Sequence, residues 1–218
     1  MRMKLLSVII TVLVAVLIVT LSITLPILFR PFYYMQIDAL GLTDSTGLSA
    51  KQIKLAYNEM MDYCLGLRSD FSAGGLPFSE EGVSHFDDVR ALFFLDFALV
   101  IVCAVALIII SVTLKRKKLS PYRFLGRSAP FWSVVSIASA SSLIGVACAI
   151  NFRQTFIFFH KIFFVGKTNW SFKSYKDPII KLLPNQFFSN CAVLIFASIL
   201  VLSVAVLIYE FLPRKKRG

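Results

Sequence analysis

The chain has 218 residues, of which 57% are hydrophobic and 16% charged, and its formal net charge is +11. With a mean hydropathy of +0.77, this composition excludes an ordinary soluble globular protein. Nucleic-acid binding is excluded as well, because no motif of a groove-reading domain accompanies the basic residues.

Apolar stretches dominate the chain and occur four times, at about residues 5–29, 91–114, 130–152 and 187–212. Each is long enough to cross a hydrocarbon core of about 30 Å as a helix. The first is too long for the apolar part of a signal peptide and ends without a small-residue cleavage site, so we interpret it as a retained anchor. The sequence therefore predicts an all-α membrane protein, residues 1–218 forming a single membrane domain with four transmembrane helices.

The distribution of basic residues predicts the orientation of these helices. Twelve of the 23 Lys and Arg residues lie in the short N-terminus, the connector 115–129 and the C-terminal cluster Arg214–Arg217. Short basic clusters beside a membrane remain in the cytoplasm, so both termini and 115–129 are predicted there. The longer segments 30–90 and 153–186 (loops 1 and 3) then form an extracytoplasmic cap.

These two longer segments carry opposite charge, which favours packing on each other. Segment 30–90 has five basic and nine acidic residues and segment 153–186 has six and one, giving −4 and +5. The attraction between them is weakened by salt.

Local signals predict two helices in the first long segment. Ser49 and Gln52 have the spacing of a capping box, apolar residues follow at helical spacing as far as Cys64, and Gly66 suits a C-terminal cap. Ser84 is predicted as the N-cap of a second helix that continues into residues 91–114.

His85 would then lie in the first turn of that second helix. The partial positive charge of a helix N-terminus favours the neutral imidazole, the form that a general base requires. Asp88, three residues later, could fix its tautomer. The alternative is an interfacial helix start with an incidental histidine.

His160 lies in a segment rich in phenylalanine, and the pattern fits a helix or a strand. In a helix it shares a face with Phe156, Phe163 and Phe164. Partial desolvation among aromatic rings lowers the pKa of a histidine. The alternative is an interfacial histidine that is satisfied by a backbone carbonyl.

No spacing of the four cysteines indicates a zinc site or a disulfide framework. No His-Glu-x-x-His, P-loop or Rossmann pattern occurs either, so no metal and no cofactor are expected.

Several motifs together resemble the bacterial Lit family, the lipoprotein intramolecular transacylases. The most specific are Phe78-Ser-Glu…Ser84-His-Phe-Asp-Asp-Val-Arg90 and Phe159-His-Lys-Ile-Phe-Phe164, and the others are Gly47-Leu-Ser with the Tyr57–Tyr63 helix, Trp170-Ser-Phe172, Asp177-Pro-Ile-Ile-Lys-Leu-Leu-Pro184 and Phe187-Phe188.

The resemblance implies a concrete reaction in the plasma membrane. Such enzymes move an acyl chain from the glyceryl sn-2 ester of a diacylglyceryl lipoprotein to the α-amino group of its N-terminal cysteine, without external donor, metal or nucleotide. The family's catalytic histidines fall on His85 and His160. Ser84, Asp88 and Arg90 are expected to orient them, and the expected wall of the substrate pocket consists of Phe156, Phe159, Phe163, Phe164 and Trp170.

Two other interpretations remain open at this stage. The chain is alternatively a non-enzymatic four-span scaffold or sensor whose cap binds a lipid or a partner protein. It is alternatively a lipid hydrolase in which water replaces the amine as nucleophile.

Overall fold

The computed structural model describes residues 2–212, and helices account for most of them. They are α1 (Arg2–Leu28), α2 (Pro31–Ala39), α3 (Leu42–Thr46), α4 (Ala50–Cys64), α5 (Glu80–Arg116), α6 (Ala129–Phe163), a 3-10 helix (Pro178–Leu182) and α7 (Asn185–Phe211). In residues 2–212 extended pairing is limited to one bridge between Phe124 and Arg127, so the all-α prediction is confirmed. The cluster Arg214–Arg217 lies outside the described residues.

Four of these helices, α1, α5, α6 and α7, are long and apolar enough to cross a membrane, as predicted. Helices α5 and α6 have 37 and 35 residues. At about 1.5 Å per residue, each exceeds the roughly 30 Å of a hydrocarbon core by about 20 Å. The predicted spans 91–114 and 130–152 would leave His85 and His160 in extensions outside the hydrocarbon.

The described residues belong to two compact units. The first comprises residues within 1–23, 97–145 and 194–218, and its core contains Ile18, Ile137 and Ile199 from α1, α6 and α7. Cavities of about 330 and 340 Å³ in this unit are lined without a histidine.

The second unit comprises 24–96 and 146–193 and contains both histidines. Contacts within it join the two oppositely charged segments: Lys176 lies 4.0 Å from Glu81, and Lys167 pairs with Asp88.

The local sequence signals of helix α4 correctly predicted both of its ends and its buried face. Ser49 and Gln52 form the predicted capping box. The apolar positions Ile53, Ala56, Tyr57, Met60 and Cys64 are all buried. Gly66, with a φ of 74°, donates its N–H to the Tyr63 carbonyl, and Leu67 donates to Asp62, which is the hydrogen-bond pattern of a Schellman motif.

Helix α5 begins earlier than predicted, so the assignment of Ser84 as N-cap was wrong. The helix starts at Glu80, and the hydroxyl of Ser79 accepts a hydrogen bond of 3.0 Å from the N–H of Gly82. Glu80 and Glu81 complement the positive helix end. Gly82 is buried inside the first turn.

Candidate active site

The two histidines of the chain form a pair in the second unit. Their ring centroids are 5.9 Å apart with planes inclined by 30°. Relative exposure is 6% for His85 and 8% for His160. The two residues are 75 positions apart in sequence, so only the fold brings them together.

A kink in α6 precedes His160. Asn151 has φ −156° and ψ 90°, and its side-chain oxygen accepts a hydrogen bond of 3.1 Å from the N–H of Gln154, as an N-cap does. The chain then continues as a helix to Phe163. Of the two possibilities left by the sequence, the helix is therefore correct and the strand is not.

The position of the proton on His160 follows from one contact. Its Nδ1 lies 2.8 Å from the carbonyl oxygen of Phe156. A carbonyl oxygen only accepts hydrogen bonds, so Nδ1 must donate. In the neutral ring the lone pair is then on Nε2. The carbonyl bond expected of a merely satisfied histidine is thus present, and it also leaves Nε2 able to act as a base.

Aromatic rings surround His160, as the pattern predicted. Centroid distances to His160 are 4.4 Å for Phe156, 5.0 Å for Trp170, 5.5 Å for Phe164 and 5.6 Å for Phe159. These four predicted wall residues therefore lie together.

The rings around His85 are partly different. Phe164 contacts it as well, at 5.0 Å, and Phe172 lies at 5.3 Å. The sequence predicted no wall position for Phe172, which belongs to the Trp170-Ser-Phe172 motif. Phe163, by contrast, is 51% exposed and packs on Phe159 at 4.5 Å, away from both imidazoles.

Burial keeps both imidazoles neutral. It lowers the pKa of His85 to about 4, and the nearby His160 adds to this effect while Asp88 opposes it. Burial also lowers the pKa of His160, against the opposing effect of the hydrogen bond to Phe156. The lowered pKa of His85 favours the neutral imidazole, with burial as its largest cause.

Acid should consequently destabilise the fold through His85. Between its folded pKa of about 4 and an unfolded value of about 6.5, the unfolded chain binds more protons, so this contribution to stability is complete above about pH 6.5 and falls by about 2 kcal/mol by pH 5. We expect the thermal midpoint in detergent to fall between pH 7.5 and 5, and to fall less in His85→Gln. The exposed control Lys161→Gln should keep the wild-type difference. An identical pH response of His85→Gln and wild type would contradict the neutral buried state.

The residues expected to orient the histidines interact with other side chains. Asp88 pairs with Lys167 and accepts a hydrogen bond of 3.0 Å from Asn169. The hydroxyl of Ser84 lies 3.3 Å from the same Asn169 amide nitrogen. Arg90 lies over the ring of Tyr63 at 5.2 Å. Their orienting role stays a prediction. Within the described residues the Nδ1 of His85 is buried and has no hydrogen-bond partner.

Asp177 holds the aromatic segment to the start of α5, and sequence reasoning missed it. It is 4% exposed, and its carboxylate accepts hydrogen bonds of 2.7 Å from the N–H and 2.9 Å from the hydroxyl of Ser79. The available signal was a single acidic residue in an otherwise basic segment.

No group of three or more His, Cys, Asp or Glu side chains suited to a metal ion occurs in the part of the chain that the structure describes.

A family model described as lipoprotein intramolecular transacylase Lit matches residues 8–188. No curated protein matches. The in meso structure of the membrane-integral lipoprotein intramolecular transacylase Lit from Bacillus cereus is similar with a TM-score of 0.88 and 25% identity, over 99% of this chain and 98% of that one.

Two further structures are variants of that Bacillus cereus protein, in which a histidine is replaced by arginine or by alanine. Each is similar with a TM-score of 0.79 and 23% identity over 96% of this chain, and over 90% and 92% of the respective variant chains. They support the same multi-pass membrane fold. Because the family model covers most of the sequence, this chain belongs to the Lit family of lipoprotein intramolecular transacylases.

Proposed function

We propose that the protein converts a diacylglyceryl lipoprotein into its N-acyl, S-monoacylglyceryl form. The acyl chain moves from the sn-2 ester oxygen to the α-amino nitrogen of the N-terminal cysteine of the same substrate. The observation that carries this proposal is the pair of neutral imidazoles 5.9 Å apart inside an aromatic enclosure.

His160 is the better candidate for the general base. Its Nδ1–H is committed to the Phe156 carbonyl, which orients the ring and leaves the Nε2 lone pair for the substrate. A base of this kind contributes about 10²- to 10⁴-fold to a rate. It takes the proton that the amine loses as its nitrogen attacks the ester carbonyl carbon.

His85 is then the candidate for the acid. The new C–N bond forms, the bond from the acyl carbon to the glyceryl oxygen breaks, and the N–H of His85 donates its proton to that oxygen while the proton held by His160 passes to the other ring nitrogen of His85. The proton lost by the amine thus ends on the glyceryl oxygen, and both rings are neutral again. The relay starts from two neutral rings, and the lowered pKa values of the pair favour that state.

The aromatic enclosure favours transfer to the amine over hydrolysis. With less than a tenth of either imidazole exposed, water has little access to an acyl group bound between them. Holding amine and ester of one substrate side by side also replaces an encounter by an intramolecular step, an advantage of several kcal/mol. The closed surroundings require that rings such as Trp170 move apart when a lipid enters.

The proposed location of this chemistry is the outer face of the membrane. Density of Lys and Arg in the short termini and in connector 115–129 supports cytoplasmic placement of these parts. Segments 30–90 and 153–186, which carry the histidines, would then face outward, where mature lipoproteins display their N-termini.

Mass spectrometry of lipoprotein N-termini tests the proposal in bacterial cells with and without this protein. We expect the diacylglyceryl form to be replaced by the N-acyl, S-monoacylglyceryl form when the protein is present. Release of free fatty acid with a free amine left on the cysteine would instead support a hydrolase. Unchanged lipoproteins would overturn both and support a scaffold.

A further inference from the structure

Asn169 occupies a junction between the surroundings of the two histidines. Its amide nitrogen lies 3.0 Å from an oxygen of Asp88 and 3.3 Å from the hydroxyl of Ser84. Those two residues flank His85 on α5. The next residue in sequence, Trp170, packs on His160 at 5.0 Å. The side chain of Asn169 therefore joins the turn that covers His160 to helix α5, which carries His85.

The second polar atom of this amide is buried and unused. Within the described residues Oδ1 of Asn169 has no hydrogen-bond partner. Its identity as oxygen is fixed by chemistry, because the carboxylate of Asp88 only accepts hydrogen bonds and must face the nitrogen. A buried acceptor without a donor costs about 1–3 kcal/mol, so the site is suited to a ligand that brings an N–H group.

The substrate of the proposed reaction brings such a group. Its α-amino group must reach the histidines as a hydrogen-bond donor. The carboxylate of Asp88 beside Asn169 attracts its positively charged form, which releases one proton to solvent before the neutral nitrogen attacks the ester. Before a substrate binds, the half-exposed Lys167 forms an ion pair with Asp88 and offsets its negative charge. We propose that Asn169 receives the α-amino group of the lipidated cysteine, accepting a hydrogen bond from it at Oδ1 and directing it toward the histidine pair. This inference rests on the proposed function, and it adds a specificity-determining residue to it.

Two unreactive lipopeptides test the site by direct binding in lipid nanodiscs. Both carry ether-linked alkyl chains in place of the esters, and they differ only in the presence or absence of the α-amino group. Wild type should bind the amine form about tenfold more tightly, as expected of a hydrogen bond to a charged group. Asn169→Leu should reduce this ratio severalfold, leaving only the attraction of Asp88, while its affinity for the form without the amine stays within about twofold.

The variant Asn169→Asp distinguishes two roles of Asn169, which are binding the amine and holding the two segments together. It keeps an acceptor oxygen but loses the amide donor that bonds Asp88. The amine preference should survive in this variant even if both ligands bind less well. If Asp and Leu lose the preference alike, or if Leu keeps it, the proposal is overturned. If Asn169→Leu does not fold, Asn169→Ser replaces it, and the ratio of its affinities for the two lipopeptides is measured in the same way.

Controls keep this test apart from the reaction itself. The neighbouring exposed Thr168, as Thr168→Val, should retain the wild-type ratio. Failure of wild type to convert a diacyl lipopeptide, with the amine preference intact, would overturn the proposed reaction while supporting the amine site. Conversion without any amine preference would overturn the site alone.

Discussion

His160→Asn should abolish formation of the N-acyl product while leaving the protein folded. An asparagine amide can still donate to the Phe156 carbonyl, the bond that Nδ1 of His160 makes at 2.8 Å, but it offers no basic nitrogen at the Nε2 position. Loss of a general base costs about 10²- to 10⁴-fold in rate, which puts the product below ready detection. Mass spectrometry of a diacyl lipopeptide incubated with purified protein measures this effect.

His85→Gln should lose activity to a comparable degree, because it removes the proposed acid. The exposed neighbour variant Lys161→Gln should convert the lipopeptide as wild type does. Thermal midpoints at pH 7.5 separate a chemical defect from unfolding. Near-normal turnover by His160→Asn would show that His160 is not the base. Near-normal turnover by both histidine variants would rule out the two-histidine mechanism.

Local sequence signals predicted the parts of the fold that depend on neighbouring residues. The capping box at Ser49 and Gln52 and the apolar face of α4 involve positions within two or three turns of each other, and both were correct. The four spans followed in the same way from the length of their apolar stretches. The pairing of His85 with His160 had no local signal and came only from the resemblance of both motifs to one family.

The remaining features of the site depend on contacts between distant segments. Asn169 meets α5 across 81 positions and Asp177 meets it across 98, and neither carries a local pattern that indicates its partner. The same holds for Phe172 against His85. The early start of α5 was missed for a related reason, because Ser79, which precedes the helix, is held by Asp177 from a distant segment.

Gly82→Ala should destabilise the protein, contrary to the usual effect of this change within a helix. Alanine at such a position ordinarily stabilises by about 1 kcal/mol. Here an added Cβ would lie 3.0 Å from Cγ of Asp177, closer still to its Oδ1, and 3.3 Å from the ring of Phe172. Asp177 would have to leave Ser79, and Phe172 would shift against His85. We expect a loss of roughly 1–3 kcal/mol, typical of overpacking, and lower transacylation because small displacements of reacting groups are costly.

Gly145→Ala is the matched control for this expectation. Gly145 also lies within a helix, but a Cβ there would meet nothing within 4 Å, so its thermal midpoint should stay equal or rise. The double variant Gly82→Ala with Asp177→Ala identifies the cause. Once the carboxylate is removed, the added methyl group should cost little more than Asp177→Ala alone, since directly contacting sites are not additive. A Gly82→Ala protein as stable and active as wild type, or a double variant with fully additive losses, would show that the start of α5 does not depend on close approach of Asp177.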